Sequence, residues 1–524
     1  FTATNCTFSG NTAENGGAVY NMASGTVSLK DCSFTTECDT IYNKGTLVLS
    51  GANTFSGTVT NEGTVVFDLS SINPGNETAV INDISKFSGD GSYCIQVSED
   101  QTNGAYLLAG SAADFNKTIT VRIGSSEETL IIDNDPIFCG GVLCQLKRDT
   151  EQNLSLTITD TAIITTKGED NTLTINGVTY TGTALNPNGL KNALTNYRKV
   201  AASGVTSSTS LTVRIGATFA TDNFHFVNSI STSDGGAVYN RGNFIAIAGT
   251  FSGNTAASDG GAVDNKGILT AIASTFSGNT ATNNGGAIYN RGIFMLNASA
   301  FSGNSAKYGG AVSNSGIFTA TSCTFNNCSA IVGGAISIID TFTANNSTFS
   351  KNMAKNGGAV SNVSGTFTAS SSTFSGNTAT GDGGAVENFS GTFTAYNNTF
   401  SENTAENGGA IYNHGNATVH NSTFSGNTAT GDGGAVDNFF GTFTANNSTF
   451  SGNTATNGGA IYNSDTFTVD SNTFSGNTAT NGGAVFNQGT FTASSSTFSG
   501  NTAESSGGAV NNNGTFTSNA SMFS

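Results

Sequence analysis

The sequence predicts an all-β chain folded as a right-handed parallel β-helix, a solenoid with three short strands per coil, and three observations carry that prediction. The triplet Gly-Gly-Ala starts at Gly16, and from Gly235 through Gly260, Gly285 and nine further positions to Gly507 it recurs every 24–26 residues. A Phe-x-x-Asn mark runs in phase with it, as in Phe374 with Asn377 and Phe450 with Asn453. Between the marks, apolar residues alternate with Thr, Ser and Asn at the period of a strand rather than a helix. A period of about 20–50 residues points to a solenoid or a propeller. One unit reads FTAxxSTFSGNTATxGGAVYNxG, and its roughly eight residues per strand and turn are too few for a four-stranded propeller blade.

Each element of the unit follows in order. In Thr392-Phe393-Thr394 and Thr449-Phe450-Ser451 one large apolar residue sits between hydroxyl residues, so two strands per coil turn a Phe inward. Stacking coils then places Phe on Phe in two ladders. The third strand follows Gly-Gly-Ala: its first position is always Val or Ile and points inward, and the next varies (Tyr239, Asp264, Ser313, Glu387, Phe486, Asn511) and is expected to face water. Near-universal right-handed crossovers between parallel strands set the hand. At the bends, Asn240, Asn265 and Asn290 on one side and Asn377 and Asn453 on another can bond neighbouring coils where backbone groups lose ladder partners. Gly235, Gly260 and Gly285 fit the same bends, which need positive φ or close approach.

The pattern divides the chain. Residues 1–60 read as a short β-helix segment and 225–524 as the main β-helix of about twelve coils. Between them the composition changes: residues 61–224 hold all three Pro and 28 of the 53 charged residues. Within that stretch 61–186 is expected to be a β-rich module, and 187–224 a capping helix with a lead-in strand. The helix is placed at Leu190–Ala201, after Pro187-Asn188-Gly189, on the helical spacing of Leu190, Ala193, Leu194 and Tyr197. Phe1 opens inside a coil and Ser524 stops inside one, as expected of a piece of a longer chain or of a subunit that stacks head to tail.

Charge narrows the partners. A net charge of -17, from 18 basic and 35 acidic residues, makes nucleic acid and anionic lipid poor partners, since both demand a basic patch. No apolar run is long enough for a membrane-spanning helix, and no motif calls for a cofactor. With 67 Gly and only 10% charged residues the chain does not read as an ordinary cytosolic enzyme.

The paired GGA[IV] and FxxN marks resemble the repeats of the chlamydial polymorphic outer membrane proteins and, more widely, β-helical autotransporter adhesins. The resemblance covers residues 1–60 and 225–524. It implies an extracellular or cell-surface passenger rod that meets host cells, matrix, glycans or like proteins. Two departures accompany it: no run of alternating strands at the C-terminal end suits a transmembrane barrel, and residues 61–224 carry neither mark. The leading reading is therefore a non-enzymatic structural or adhesive rod, part of a larger passenger or filament-forming protein. The alternatives are a carbohydrate-binding or polysaccharide-cleaving β-helix and a self-assembling extracellular filament.

Several residues could carry chemistry. Arg241, Lys266 and Arg291 occupy the same turn of three successive coils, with Asp264 nearby. Cations stacked at one coil spacing repel unless an anion bridges them, so a uronate, sulfate or phosphate could sit there; a solvated ladder softened by Asp264 is the plainer alternative. Extra residues after the bend Asn expose Phe389, Phe439 and Phe440, either as a contact patch or as rings tucked over a coil. Cys6 with Cys32, Cys139 with Cys144 and Cys323 with Cys328 could form disulfides in an oxidising compartment, or stand as buried thiols; Cys328 takes the place of an Asn in Phe-x-x-Asn. Asp234, Asp259, Asp382 and Asp432 precede Gly-Gly, but the calcium nonapeptide GGxGxDxUx is absent and no metal is expected. The three His, His225, His414 and His420, have no nucleophile-base-acid motif around them, so no catalytic residue is assigned.

Overall fold

The computed structural model describes residues 1–36, 39–134, 137–139, 142–159, 161–166, 173–175, 178–180, 199–203, 206–207 and 210–524. The chain falls into two compact units, one centred on Phe1–Ala162 and the other on Ala201–Ser524.

In the second unit each coil runs through strands such as Val238–Asn240, Asn243–Ile247 and Thr250–Ser252, and each strand pairs in parallel with its counterpart one coil on. One sheet carries thirteen such strands from Thr218–Asp222 to Thr515–Asn519. Equivalent residues meet: Asn240 faces Asn265, and Phe251 faces Phe276. Many coils add a fourth strand of a few residues, as at Thr255–Ala256 and Thr478–Asn481. Three strands per coil therefore hold, with this short piece as an addition.

Both Phe ladders form. Phe251, Phe276 and Phe301 are fully buried, with ring centroids 4.5 Å apart and planes within 7°. Each buried Phe stabilises the coil by about 1.5–3 kcal/mol through water removed from its ring. The other ladder is interrupted by Leu269, between Phe244 and Phe294, and breaks at Ala417, between Phe393 and Phe443. There the neighbouring inward position carries Val419 where adjacent coils have Ala395 and Ala445, returning part of the lost volume. Val and Ile line the third wall, as at Val238, Val263 and Ile288.

The two Asn ladders lie at the corners and are buried. In the first, Asn240 donates through Nδ2 to Asn265 Oδ1 at 2.7 Å, and Asn265 to Asn290 Oδ1 at 2.7 Å. In the second, Asn453 donates to Asn477 Oδ1 at 2.9 Å and to the Phe424 carbonyl at 3.1 Å. The paired glycines serve different needs. Gly260 has φ +63°, and a Cβ there would lie 2.3 Å from the Val263 carbonyl oxygen; a Cβ on Gly261 would lie 2.0 Å from the Gly286 carbonyl of the next coil. Gly235 and Gly285 repeat the first case.

The first unit corrects the boundary at residue 60. Its parallel ladder runs from Thr2–Thr4 through Thr26–Lys30 and Thr46–Ser50, then on through Thr64–Asp68, Ser92–Val97 and Ile119–Ile123. Val65, Phe67, Ile95 and Val121 keep the inward period of two after the Phe and Gly-Gly marks have gone. An antiparallel sheet of Gly104–Ala109, Leu154–Thr159, Val142–Arg148 and Ile137–Cys139 supplies the non-repeat β part, with Leu146, Leu154 and Leu156 in the same core as Phe34 and Phe55. Of the expected helix, the last residues belong to the strand Lys199–Ser203 instead; 190–198 lie outside the described residues.

Candidate functional site

The position after the inward Val or Ile, expected in water, is covered along much of the second unit. Asp264, Ser313, Ser337, Ser361, Glu387, Asp437 and Tyr462 are all buried. The chain entering each Gly-Gly bend runs beside this column and is itself bridged coil to coil, as at Asn284, Tyr308, Val332 and Asn356. Asn356 leans across and donates to Glu387 Oε1 at 3.1 Å. The column is thus a covered polar groove whose lining changes along the solenoid.

At its first end the groove matches the chain's acids with the chain's own cations. Tyr239, Asp264 and Tyr289 stack in register. Lys266 Nζ lies 4.7 Å above the Tyr239 ring and hydrogen-bonds its hydroxyl. Arg291 lies 4.5 Å over the Tyr289 ring, donates to Asp264 Oδ2 at 2.6 Å and comes within 3.9 Å of Asp234. Asp264 is 0% exposed, and burial pushes its carboxyl up to about 6, with Arg291 pulling back and Asp234 adding to the rise. The structure therefore places Lys266, Arg291 and Asp264 together, but engages both cations internally. Arg241 projects into solvent.

Three coils further on the column carries only Ser313, Ser337 and Ser361, and then turns acidic. Glu387, Tyr412, Asp437 and Tyr462 follow in register. Ser361 donates to Glu387 Oε2 at 2.6 Å. Burial raises both Glu387 and Asp437, Asp437 well above the ordinary aspartate range, and Asp432 and Asp382 push Asp437 further. The Asp437 Oδ1 atom is buried with no hydrogen-bond partner. Burial, then Asp432 and Asp437, lift Tyr462 to about 12. The sequence marked none of these four as a site, because a residue type that changes from coil to coil reads as solvated.

Beside the acids stands an exposed aromatic cluster. Phe389 is 50% exposed and Phe440 52%. His414 links the expected Phe residues: it stacks on Phe389 at 5.2 Å, sits 6.3 Å from Phe439, and meets Phe440 edge-on at 5.2 Å. Phe439 also reaches Tyr412 at 6.2 Å. The structure thus gathers Phe389, Phe439 and Phe440 into one patch, with His414 as the member that spacing alone did not supply.

The repeat that builds this groove is similar to one found in a known family. Nine stretches match the Chlamydia polymorphic membrane protein repeat: residues 5–22, 249–266, 273–291, 371–388, 399–414, 421–438, 447–464, 473–488 and 495–513. All nine are similar to the chlamydial polymorphic membrane protein repeat. No curated protein and no solved structure matches the chain. In the second unit most of the matched stretches run from the Phe-x-x-Asn corner through Gly-Gly-Ala to the covered column, so the matched unit spans the groove. Repeats of this family on a β-solenoid fit a surface-exposed β-helical protein. Between residues 292 and 370 no stretch matches, and there Tyr308 and Val332 replace the Asp or Asn before Gly-Gly, and Cys328 replaces a ladder Asn.

Cys6, Cys32, Cys139, Cys323 and Cys328 stand as free thiols, the second of the two states that the sequence allows. Cys139 lies opposite Val142 and Cys144 opposite Ile137, out of register with each other. Cys6 and Cys32 each turn Sγ to a backbone carbonyl, of Thr4 and Ala3. Cys323 takes a place in a Ser ladder, its N–H donating to Ser347 Oγ at 3.1 Å, while Cys328 stands in the Asn ladder, where burial lifts its thiol to about 11. Its only side-chain contact with Asn304 is a weak one, Nδ2 to Sγ at 3.8 Å. Cys328→Asn will restore the amide ladder and stabilise the second unit by about 1–3 kcal/mol, read as a rise in its unfolding midpoint.

Three of the Asp residues before Gly-Gly accept from Asn amides of the next coil: Asp259 Oδ1 from Asn284 and Asp432 Oδ1 from Asn457, each at 2.9 Å, and Asp382 Oδ1 from Asn407 at 3.0 Å. Among the described residues no group of three or more His, Cys, Asp or Glu is placed to hold a metal, and no helix is long and apolar enough to cross a membrane.

Proposed function

We propose that this chain is an extracellular, surface-displayed rod that acts by adhesion, without catalysis, through its later coils. The observation that supports this most is the aromatic patch of Phe389, His414, Phe439 and Phe440, half exposed on coils whose other outward residues are mostly Thr, Ser and Asn. A ring cluster of this kind in water favours a partner that covers it. The partner is a host-cell, matrix or like-protein surface. The polysaccharide-cleaving alternative lacks support, since Lys266 and Arg291 are already engaged by Tyr239, Tyr289 and Asp264.

Beads coated with the purified chain will bind cultured epithelial cells well above albumin-coated beads. Converting Phe389, Phe439 and Phe440 together to Ser will cut that binding at least tenfold while leaving the far-ultraviolet circular dichroism spectrum unchanged. Binding no better than albumin, or a triple variant that binds as the parent does, would refute the adhesive reading.

A further inference from the structure

The covered groove contains the same Tyr-Asp-Tyr cradle twice, once filled and once not. In the first, Tyr239, Asp264 and Tyr289 are served by Lys266 and Arg291. In the second, Tyr412, Asp437 and Tyr462 occupy the same positions in three later coils. The residue corresponding to Lys266 is Phe439, and the one corresponding to Arg291 is Ser464. Ser464 is too short to reach Asp437; its hydroxyl donates to the Phe439 carbonyl.

Nothing else in these coils can replace the missing cation. All 18 Lys and Arg lie at or before Lys355, while residues 356–524 carry nine acidic residues. Asp437 is 2% exposed; its Oδ1 atom, like that of Asp264, is buried without a hydrogen-bond partner, but no arginine reaches its other oxygen as Arg291 reaches Asp264 Oδ2, and Asp432 and Asp382 add like charge. A buried carboxylate is tolerated when a cation and hydrogen bonds compensate it, and the first cradle does this with a guanidinium lying on one Tyr ring while donating to the Asp beneath.

We propose that the Tyr412-Asp437-Tyr462 cradle is a binding site for an arginine side chain of a basic partner segment, which enters over Ser464, lies on the Tyr462 ring and donates to Asp437. A planar guanidinium suits it better than an ammonium, because the cradle offers a ring face and a carboxylate together. Charge complementarity favours the same occupant, since the surrounding coils carry nine acidic residues and no Lys or Arg. This inference does not depend on the adhesive reading, and its test involves no cell.

The probe is a fluorescein-labelled tetra-arginine peptide, followed by anisotropy against the intact chain, with its citrulline counterpart as the uncharged control. The parent will bind the arginine peptide saturably and at least tenfold more tightly than the citrulline peptide. Asp437→Asn will weaken arginine binding about tenfold, whereas Glu504→Gln, which removes an equal charge from an exposed site, will change it less than twofold. Ser464→Arg will abolish binding by filling the cradle from within, and will raise the melting temperature. Equal losses in Asp437→Asn and Glu504→Gln would reduce the effect to diffuse charge attraction and overturn the proposal. So would a Ser464→Arg protein, folded by circular dichroism, that binds as the parent does.

Discussion

Replacing Asn377 by Ala will destabilise the second unit by about 3–5 kcal/mol, a large loss for a substitution that leaves no charge buried. Asn377 is fully buried and works in both directions along the solenoid. Its Nδ2 donates to the Phe349 carbonyl at 3.0 Å and to Asn403 Oδ1 at 2.9 Å. Its Oδ1 accepts from both the backbone N–H and the Nδ2 of Asn352, each at 3.0 Å. In the variant Asn352 Nδ2 keeps the Phe325 carbonyl, and Asn403 Oδ1 keeps the residue 377 N–H. The Asn352 N–H and the Phe349 carbonyl lose these partners in a dry corner, at about 1–3 kcal/mol each, and the missing amide leaves a void. Because each coil touches only its neighbours, the damage will be local. Hydrogen exchange will quicken in the coils on either side of Asn377 and remain unchanged in the first unit. A loss below 1 kcal/mol in denaturant unfolding, or exchange that quickens uniformly, would show that the ladder is not what holds the corner.

That ladder was legible in the sequence because stacking converts a one-dimensional period into contact: a residue repeated every coil must meet its own copy. The Phe, Val and Asn positions all follow from this, as does the second glycine of most pairs, whose nearest neighbour is the equivalent glycine of the adjoining coil. The same logic failed where identity varies. Asp264, Glu387 and Asp437 occupy the one strand position with no fixed residue type, which ordinarily marks a solvated face, yet a neighbouring column that includes Asn356 and Asp432 folds over it. Cover of that kind depends on how far a bend swings, and no period encodes it. The boundary at residue 60 failed for the opposite reason. Val65, Phe67 and Ile95 preserve the inward alternation while the marks disappear, so composition changed where the fold did not. His414 was visible only as a lone turn residue, and its place between Phe389 and Phe439 needed the stacking of three coils.

The second unit will be more stable near pH 5 than near pH 7.5. Asp264, Glu387, Asp432 and Asp437 all have carboxyl groups raised by burial, and for the last three no Lys or Arg lies within residues 356–524. An acid raised in the folded state holds its proton where the unfolded chain has lost it. Between the two values the native state binds more protons, so stability falls as pH rises. For Asp264 the window runs from the ordinary 3.8 to about 6, and its ionisation alone removes about 3 kcal/mol by neutral pH, even with Arg291 alongside. Asp437 extends the window upward, since Asp432 and Asp382 repel its charge and no arginine reaches it. Denaturant unfolding monitored in the second unit will therefore give a midpoint that declines from pH 5 to 7.5. The double variant Glu387→Gln with Asp437→Asn will flatten the upper part of that decline and unfold later than the parent at pH 7.5, while the two will nearly coincide at pH 5. A parent midpoint that is flat or rises with pH would mean that these carboxyl groups are solvated, and that the groove is open to water along the coils where Glu387 and Asp437 lie.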